Sequence, residues 1–146
     1  MATTIVQSVL AKFATSGITD FSATGGLWLE EAPESVSLPI AGFTNNNETL
    51  EYSTELEYKE TGTFDFDVYA AGIAETERLA LLIKSLYDKY IRNPRGMDFI
   101  GGKVVNWERV SGRTGVEGQR KDDNAQVGHT TFTYAYTVER TLPQDS

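Results

Sequence analysis

The spacing of hydrophobic residues changes once between Thr63 and Tyr90, and the change divides this stretch into a predicted strand and a predicted helix. In the first part apolar residues occupy every second position, the period of a strand with one buried face; they are Phe64, Phe66 and Val68. After Ala70-Ala71-Gly72 they recur every three or four positions, which is typical of an amphipathic helix; they are Leu79, Leu82, Ile83, Leu86 and Tyr90. The helix is expected to end before Asn93-Pro94, because proline disfavours helical geometry in the residue before it. The pattern predicts a sheet crossed by this helix, with each buried leucine or isoleucine contributing roughly 1.5–3 kcal/mol before entropy costs.

The residues before Thr63 predict a second helix and three further strands. A helix is expected over residues 3–15, where Ile5, Val9 and Phe13 form one apolar row. Candidate strands follow at 27–31, at 36–44 and at 50–59. Pro39 would place the 36–44 strand at an edge or a bulge. Asn45-Asn46-Asn47 predicts a turn, and Glu60-Thr61-Gly62 predicts either a hairpin turn or a bulge in one long strand.

The residues after the central helix predict a loop, a strand, a long loop and a last strand. The first loop covers residues 92–102, and the strand at 103–110 is expected to place Val105, Trp107 and Arg109 on one side. Residues 111–128 lack apolar periodicity and are interpreted as a long flexible loop, either functional or disordered. The strand at 130–140 alternates cleanly. The sequence therefore predicts a single α+β domain over residues 1–146, in the order α-β-β-β-β-α-β-β, with a mainly antiparallel sheet packed by two helices.

Composition narrows the class of protein. The chain has 146 residues, 40% of them hydrophobic, which indicates one globular domain with a real core. No apolar run approaches the roughly 20 residues of a membrane span, so no membrane partner is expected. The N-terminal sequence does not have the pattern of a signal peptide, and the chain has no cysteine for a disulfide or a thiolate zinc site.

Charge is distributed unevenly along the chain. The net charge is −8. Residues 1–70 carry eleven acids and two bases, and residues 71–146 carry ten acids and eleven bases. An acidic surface repels phosphate and disfavours tight nucleic-acid binding, but it suits a basic partner or a surface past which DNA slides. The candidate acidic surface consists of Glu51, Glu55, Glu57, Asp65 and Asp67.

The sequence contains few candidate catalytic or metal-binding residues. His129 is the single histidine and is interpreted as a surface residue, since no second histidine or cysteine exists to complete a transition-metal site or a nucleophilic dyad. Asp65 and Asp67 form an i,i+2 pair that could bind a hard cation or perform acid–base catalysis. A solvated outer sheet face or a polar subunit interface is the favoured interpretation. No catalytic residue, cofactor or metal is therefore expected.

Glycines and bases coincide between residues 111 and 128. Gly112, Gly115 and Gly118 recur near Arg113, Arg120 and Lys121 without the strand-to-helix context of a nucleotide-binding motif. The three bases form a candidate partner-binding loop that becomes ordered on its partner, although plain loop disorder explains the composition equally well.

The layout resembles the tail terminator (tail completion) proteins of long-tailed bacteriophages. The resemblance covers most of the chain: an N-terminal helix, a proline-bearing segment LWLEEAPESVSLPIAGF, the phrase FDFDVYAAGIAETERLALLIKSLYD, and the closing pair KVVNWERV and TTFTYAYTVER. The strand-to-helix phrase is its most characteristic part.

The resemblance implies a non-enzymatic structural protein of the virion tail or neck, assembled in the host cytoplasm. Such proteins form a hexameric ring on the last ring of tail tube protein, stop tube polymerisation, and present a docking face to the head-tail connector or stopper. DNA passes through the ring without specific binding, and the acidic residues would line the channel or the tube-facing side. The alternatives are a head-completion (stopper) or other neck protein, a small cation-dependent hydrolase that uses Asp65 and Asp67, and a monomeric binding module.

Overall fold

The computed structural model of the protein describes residues 2–22, 26–29, 38–52, 57–119 and 126–141. Within these ranges the chain forms, in order, α1 (Ile5–Ala14), β1 (Leu27–Leu29), β2 (Ile40–Tyr52), β3 (Glu57–Ala71), α2 (Ile73–Asp88), a 3-10 turn (Pro94–Met97), β4 (Gly102–Gln119) and β5 (Gln126–Thr141). The predicted α+β class, with two helices and a mainly antiparallel sheet, is confirmed. No helix in the described ranges has the length and apolar character needed to cross a membrane.

The five strands form one sheet in the order β1-β2-β3-β5-β4. β1 runs parallel to β2, and every other neighbouring pair is antiparallel. β3 occupies the centre, where Phe64 pairs with Tyr134 and Phe66 pairs with Phe132. β1 and β4 are therefore the two edge strands, on opposite sides of the sheet.

The core lies between the sheet and the helices, as the alternating pattern predicts. Phe64, Phe66 and Val68 are fully buried, and the Phe66 ring stacks on Phe132 with centroids 5.4 Å apart. The apolar row predicted for the central helix is buried at Leu79, Ile83 and Leu86. It is partly buried at Leu82 and at Tyr90, which lies two residues beyond the end of α2. The alternating residues of β5 are buried as predicted; they are Phe132, Tyr134, Tyr136 and Val138.

Two hydrogen bonds attach α1 to the elements beside it. The Tyr87 hydroxyl of α2 donates to the Val9 carbonyl at 2.7 Å, and the Ser8 hydroxyl donates to the Met97 carbonyl at 2.8 Å. The Thr4 hydroxyl caps α1 by accepting from the Gln7 backbone N–H at 3.1 Å. Both helices therefore pack on the same side of the sheet.

The turn predicted at Asn45-Asn46-Asn47 is wrong, because these residues lie inside β2. Their side chains bond to other strands and not to a local turn: Asn45 Nδ2 donates to the Tyr136 hydroxyl at 2.9 Å, and Asn46 Nδ2 donates to Asp65 Oδ2 at 3.0 Å. β2 is irregular between Asn47 and Thr49. The chain reverses between β2 and β3, so the predicted 50–59 strand is divided and three strands precede α2; residues 53–56 lie outside the described ranges.

The hairpin turn predicted at Glu60-Thr61-Gly62 is wrong, since these residues lie inside the single long strand β3. The alternative of an irregularity at this level of one long strand is met on the partner strand: β3 pairs with β5 in regular register, while its register with β2 shifts between Asn47 and Thr49, opposite Gly62 and Thr61.

Gly62 lies where the Tyr136 side chain and the Asn46 backbone both come close to β3. A Cβ atom at this position would lie 2.5 Å from the Tyr136 hydroxyl oxygen and 2.6 Å from the Asn46 carbonyl oxygen. The glycine therefore allows the Tyr136 ring to lie against the strand backbone.

The long loop predicted at residues 111–128 is wrong over 111–119 and 126–128, which continue β4 and β5; residues 120–125 lie outside the described ranges. β4 is an edge strand, and residues 108–114 are exposed on both of its faces, so no apolar periodicity develops there. The register of β4 with β5 shifts between Val104 and Asn106, so the prediction that Val105 lies on the same side as Trp107 and Arg109 is wrong. Val104 and Trp107 are buried, whereas Val105 is 38% exposed.

Candidate functional site

One face of the sheet carries polar residues and is left open by the described elements. Both helices pack on the opposite face, and the side chains of the open face are partly exposed. Threonine is the commonest residue on the three central strands of this face, at Thr44, Thr61, Thr63, Thr131, Thr133 and Thr137. Such a face is available for contact with solvent or with another molecule.

Asp65 lies near the middle of the open face, on β3. Its Oδ1 atom accepts a hydrogen bond from the Thr133 hydroxyl at 2.7 Å, and its Oδ2 atom accepts one from Asn46 Nδ2 at 3.0 Å. The donors come from β5 and β2, the two neighbours of β3. The carboxylate therefore joins three strands through uncharged donors.

Asp67 lies two residues further along β3 and pairs with the single histidine of the chain. His129 Nε2 lies 2.6 Å from Asp67 Oδ1, and the imidazole stacks on Tyr69 with ring centroids 4.3 Å apart and planes 9° apart. Tyr69 and His129 are also paired in the ladder between β3 and β5. Sequence reasoning placed His129 at the surface but did not give it a partner, because its partner is 62 residues away.

The predicted acidic surface is only partly described. Glu51 pairs in the backbone ladder with Lys59, and Glu57 pairs with Thr141, while Glu55 lies outside the described ranges. Asp65 lies eight positions after Glu57 on β3, a span of about 26 Å along an extended strand. The backbone therefore spreads these acids along the sheet.

Basic side chains lie among the acidic side chains of the open face. Arg113 pairs with Thr131, which pairs with Asp67, so the arginine and the aspartate lie on the same face two strands apart. Lys59 Nζ lies 4.0 Å from Glu139 Oε1. Counting described side chains, the face has four carboxylates, Asp65, Asp67, Glu108 and Glu139, against the three bases Lys59, Lys103 and Arg113.

Of the three bases predicted to form a partner-binding loop, only Arg113 lies in the described ranges. Arg113 is exposed within β4 and not in a loop, and Arg120 and Lys121 lie outside the described ranges. Within those ranges, no group of three or more histidine, aspartate or glutamate residues is arranged to hold a metal ion.

A second polar cluster lies on the helix side and joins the end of α2 to the sheet. The Tyr134 hydroxyl donates to Asp88 Oδ1 at 2.6 Å, and Arg109 Nε donates to the same oxygen at 3.1 Å. Burial, together with the hydrogen bond to Asp88, raises the pKa of the Tyr134 phenol well above its usual range. The cluster fixes the C-terminal end of α2 against β4 and β5.

No family model matches the sequence, and no curated protein matches it. The solved structures do include a similar chain, which belongs to the virion of native gene transfer agent (GTA) particle. The comparison covers 90% of this chain and 91% of that chain, with a TM-score of 0.57. The two chains share a fold. They are 12% identical in sequence, so the likeness is one of architecture.

Proposed function

We propose that the chain is a structural protein of a phage-like virion and acts as a tail terminator. In this role it forms a hexameric ring on the end of the tail tube, stops tube polymerisation, and presents a docking face to the head-tail connector or stopper. The observation that carries the proposal is the fold shared with a chain of a gene transfer agent virion over 90% of this chain. The specific role is added by the resemblance of the strand-to-helix phrase at Phe64–Asp88 to tail terminator proteins.

The geometry of the open face supports a contact surface more than a reaction centre. Asp65 is held by two uncharged donors, and Asp67 is held by His129. Paired carboxylates that act in hydrolysis need room between them for water or substrate and differently tuned environments. Here the neighbouring strands use the carboxylates as cross-links.

We place the acidic residues Glu51, Glu55, Glu57, Asp65 and Asp67 on the channel or tube-facing side of the ring. DNA passing through would then meet like charge, which reduces its adhesion. We assign the bases Arg113, Arg120 and Lys121 to contact with a neighbouring virion protein.

The decisive experiment adds the purified protein to tail tubes that lack their cap and, separately, to DNA-filled heads that lack a neck. Electron microscopy should show a ring at one end of each tube, and tube length should stop increasing. Binding to heads without binding to tubes would instead support the head-completion (stopper) alternative. Binding to neither would refute a neck or tail role.

The placement of the acids has its own test. The triple variant Glu51→Lys, Glu55→Lys, Glu57→Lys should still cap tubes but slow DNA passage, most strongly at low salt, because screening weakens charge interactions. The matched control is Glu77→Lys, an exposed position on α2 and away from the open face. Normal DNA ejection through rings of the triple variant would contradict the placement.

A further inference from the structure

Basic side chains converge where the C-terminal ends of the two helices meet. Lys12 lies in the last turn of α1, and Lys89 is the residue that follows α2. Their Nζ atoms lie 5.6 Å and 5.3 Å from the centroid of one ring, that of Tyr90. Arg92 is exposed in the bend that follows. Lys12, Lys89 and Arg92, here called the helix-end basic surface, thus bring together two distant parts of the sequence.

The Tyr90 ring gives this surface a fixed centre. The ring is partly buried and packs against the core. A Cβ atom added at Gly96 would lie 2.8 Å from the Tyr90 Cδ1 and Cε1 atoms, so the ring lies directly against the backbone of the 3-10 turn. The electron-rich face of an aromatic ring attracts an ammonium group without neutralising its charge. Tyr90 therefore positions Lys12 and Lys89 and leaves both of them positively charged.

The carboxylates of the same region are bound by other groups. Asp88 accepts hydrogen bonds from the Tyr134 hydroxyl and from Arg109, and Asp98 accepts one from Arg95 Nε at 2.6 Å. In the described part of the chain, none of the three bases of the helix-end basic surface has a carboxylate within ion-pair distance. The sequence has 21 acids and 13 bases, so a shortage of acids does not explain their lack of partners.

The helix dipoles explain part of the arrangement. The C-terminal end of a helix carries partial negative charge and favours a cation in or next to its last turn, which accounts for one lysine at each helix end. The dipoles do not require both lysines to approach the same ring. They also do not account for Arg92, which lies beyond the end of α2. The convergence of the three bases therefore calls for a negatively charged partner.

We propose that the helix-end basic surface binds a short acidic segment of a partner protein. Three bases around one ring match a few closely spaced carboxylates. Duplex DNA is disfavoured, because a long polyanion would extend past the three bases over a chain of net charge −8. The helices pack on the side of the sheet opposite the open face, so this contact is separate from the surfaces assigned above and goes beyond the proposed function.

Fluorescence anisotropy tests the contact with a labelled peptide of six glutamates as the probe. At low ionic strength the wild-type chain should bind this peptide, and added salt should weaken the binding. The variant Lys12→Gln, Lys89→Gln should lower the affinity by roughly tenfold, the order of two exposed ion pairs. The variant Lys12→Arg, Lys89→Arg keeps both charges and should bind within about twofold of the wild-type chain.

The matched control is Lys103→Gln, Arg113→Gln, which removes the same charge from two exposed positions on β4. It should leave the affinity unchanged, and an equal loss in both glutamine variants would show attraction by net charge alone and overturn the proposal. A labelled peptide of six glutamines controls for the label, and equal binding of this peptide would refute recognition of carboxylates. The absence of any binding to the glutamate peptide would overturn the proposal as well.

Nuclear magnetic resonance of the wild-type chain tests the site without any substitution. Addition of the glutamate peptide should shift the backbone amide signals of Lys12, Lys89 and Arg92 and leave those of Lys103 and Arg113 in place. Shifts confined to β4 would place the contact elsewhere and refute the proposal. Tighter binding of a duplex DNA oligonucleotide at Lys12 and Lys89 than of the peptide would overturn the assignment to a protein partner. The outcome does not depend on tube capping, so it is separable from the proposed function.

Discussion

Replacing Gly128 by alanine should destabilise the protein by obstructing the junction between β3 and α2. Gly128 lies in β5 beneath the first turn of α2. An added Cβ atom would lie 2.5 Å from the Gly72 carbonyl oxygen and still closer to the Thr76 hydroxyl oxygen. The neighbours are held in place, because that carbonyl already accepts hydrogen bonds from the Thr76 hydroxyl at 2.6 Å and from the Thr76 N–H at 3.2 Å.

The magnitude follows from the cost of forcing atoms into a packed site. Overpacking of this kind costs about 1–3 kcal/mol. For a chain of this length each kcal/mol lowers the melting temperature by about 2–4 °C, so a fall of roughly 2–12 °C is expected.

Gly112→Ala is the matched control, since it is another glycine within the β4–β5 hairpin. A Cβ atom there would lie 3.5 Å from its nearest neighbours, which is ordinary van der Waals contact. The control should be neutral or more stable by about 0.4–1 kcal/mol, because alanine restricts the unfolded chain. Urea unfolding followed by circular dichroism gives both free energies. Equal unfolding midpoints for Gly128→Ala and Gly112→Ala would refute the assignment of a close contact at Gly128.

Two further predictions concern the core. Phe66→Ala should lower the free energy of unfolding by about 3–5 kcal/mol in urea titration, because the ring is fully buried against Phe132 and Tyr87; a loss below about 1 kcal/mol would contradict the packing. Burial raises the phenol pKa of Tyr87 and Tyr134, so the unfolded chain releases these protons near pH 10 while the folded chain keeps them. The stability that these two phenols contribute should therefore be constant below about pH 10 and fall above it by about 1.4 kcal/mol per pH unit for each phenol. The variant Tyr87→Phe, Tyr134→Phe should show a shallower fall, and an identical fall would contradict the cause.

The parts of the fold that the sequence predicts are those in which one face of an element is buried. The alternation at Phe64, Phe66 and Val68 and the three- to four-residue spacing at Leu79 and Ile83 both report burial directly, and both predictions are confirmed. The same logic fails along β4, where an edge strand is exposed on both faces from residue 108 to 114 and has no apolar period to detect. Because of the bulge after Val104, the core contains Val104 and not Val105, which a strict two-residue period does not predict.

The candidate site was predictable in its residues but not in its connections. The i,i+2 spacing of Asp65 and Asp67 places both on one strand face, whereas their partners depend on the register with β2 and β5. Asparagine at position 46 suggests a turn in isolation, because its side chain can bond to the local backbone. In the folded sheet the same amide meets Asp65 from the next strand, so a tertiary contact overrides the local preference.

The two tryptophans of the chain report on different parts of the molecule. Trp107 is buried in the aromatic core, where its indole N–H donates to the Tyr87 carbonyl at 3.1 Å, and Trp28 lies half-buried on β1 beside Leu29. Fluorescence from Trp107 therefore follows the integrity of the core, and fluorescence from Trp28 follows what happens at one outer strand. The native chain thus carries its own optical probes, with which unfolding of the core and changes at the β1 edge can be followed separately and without attached dyes.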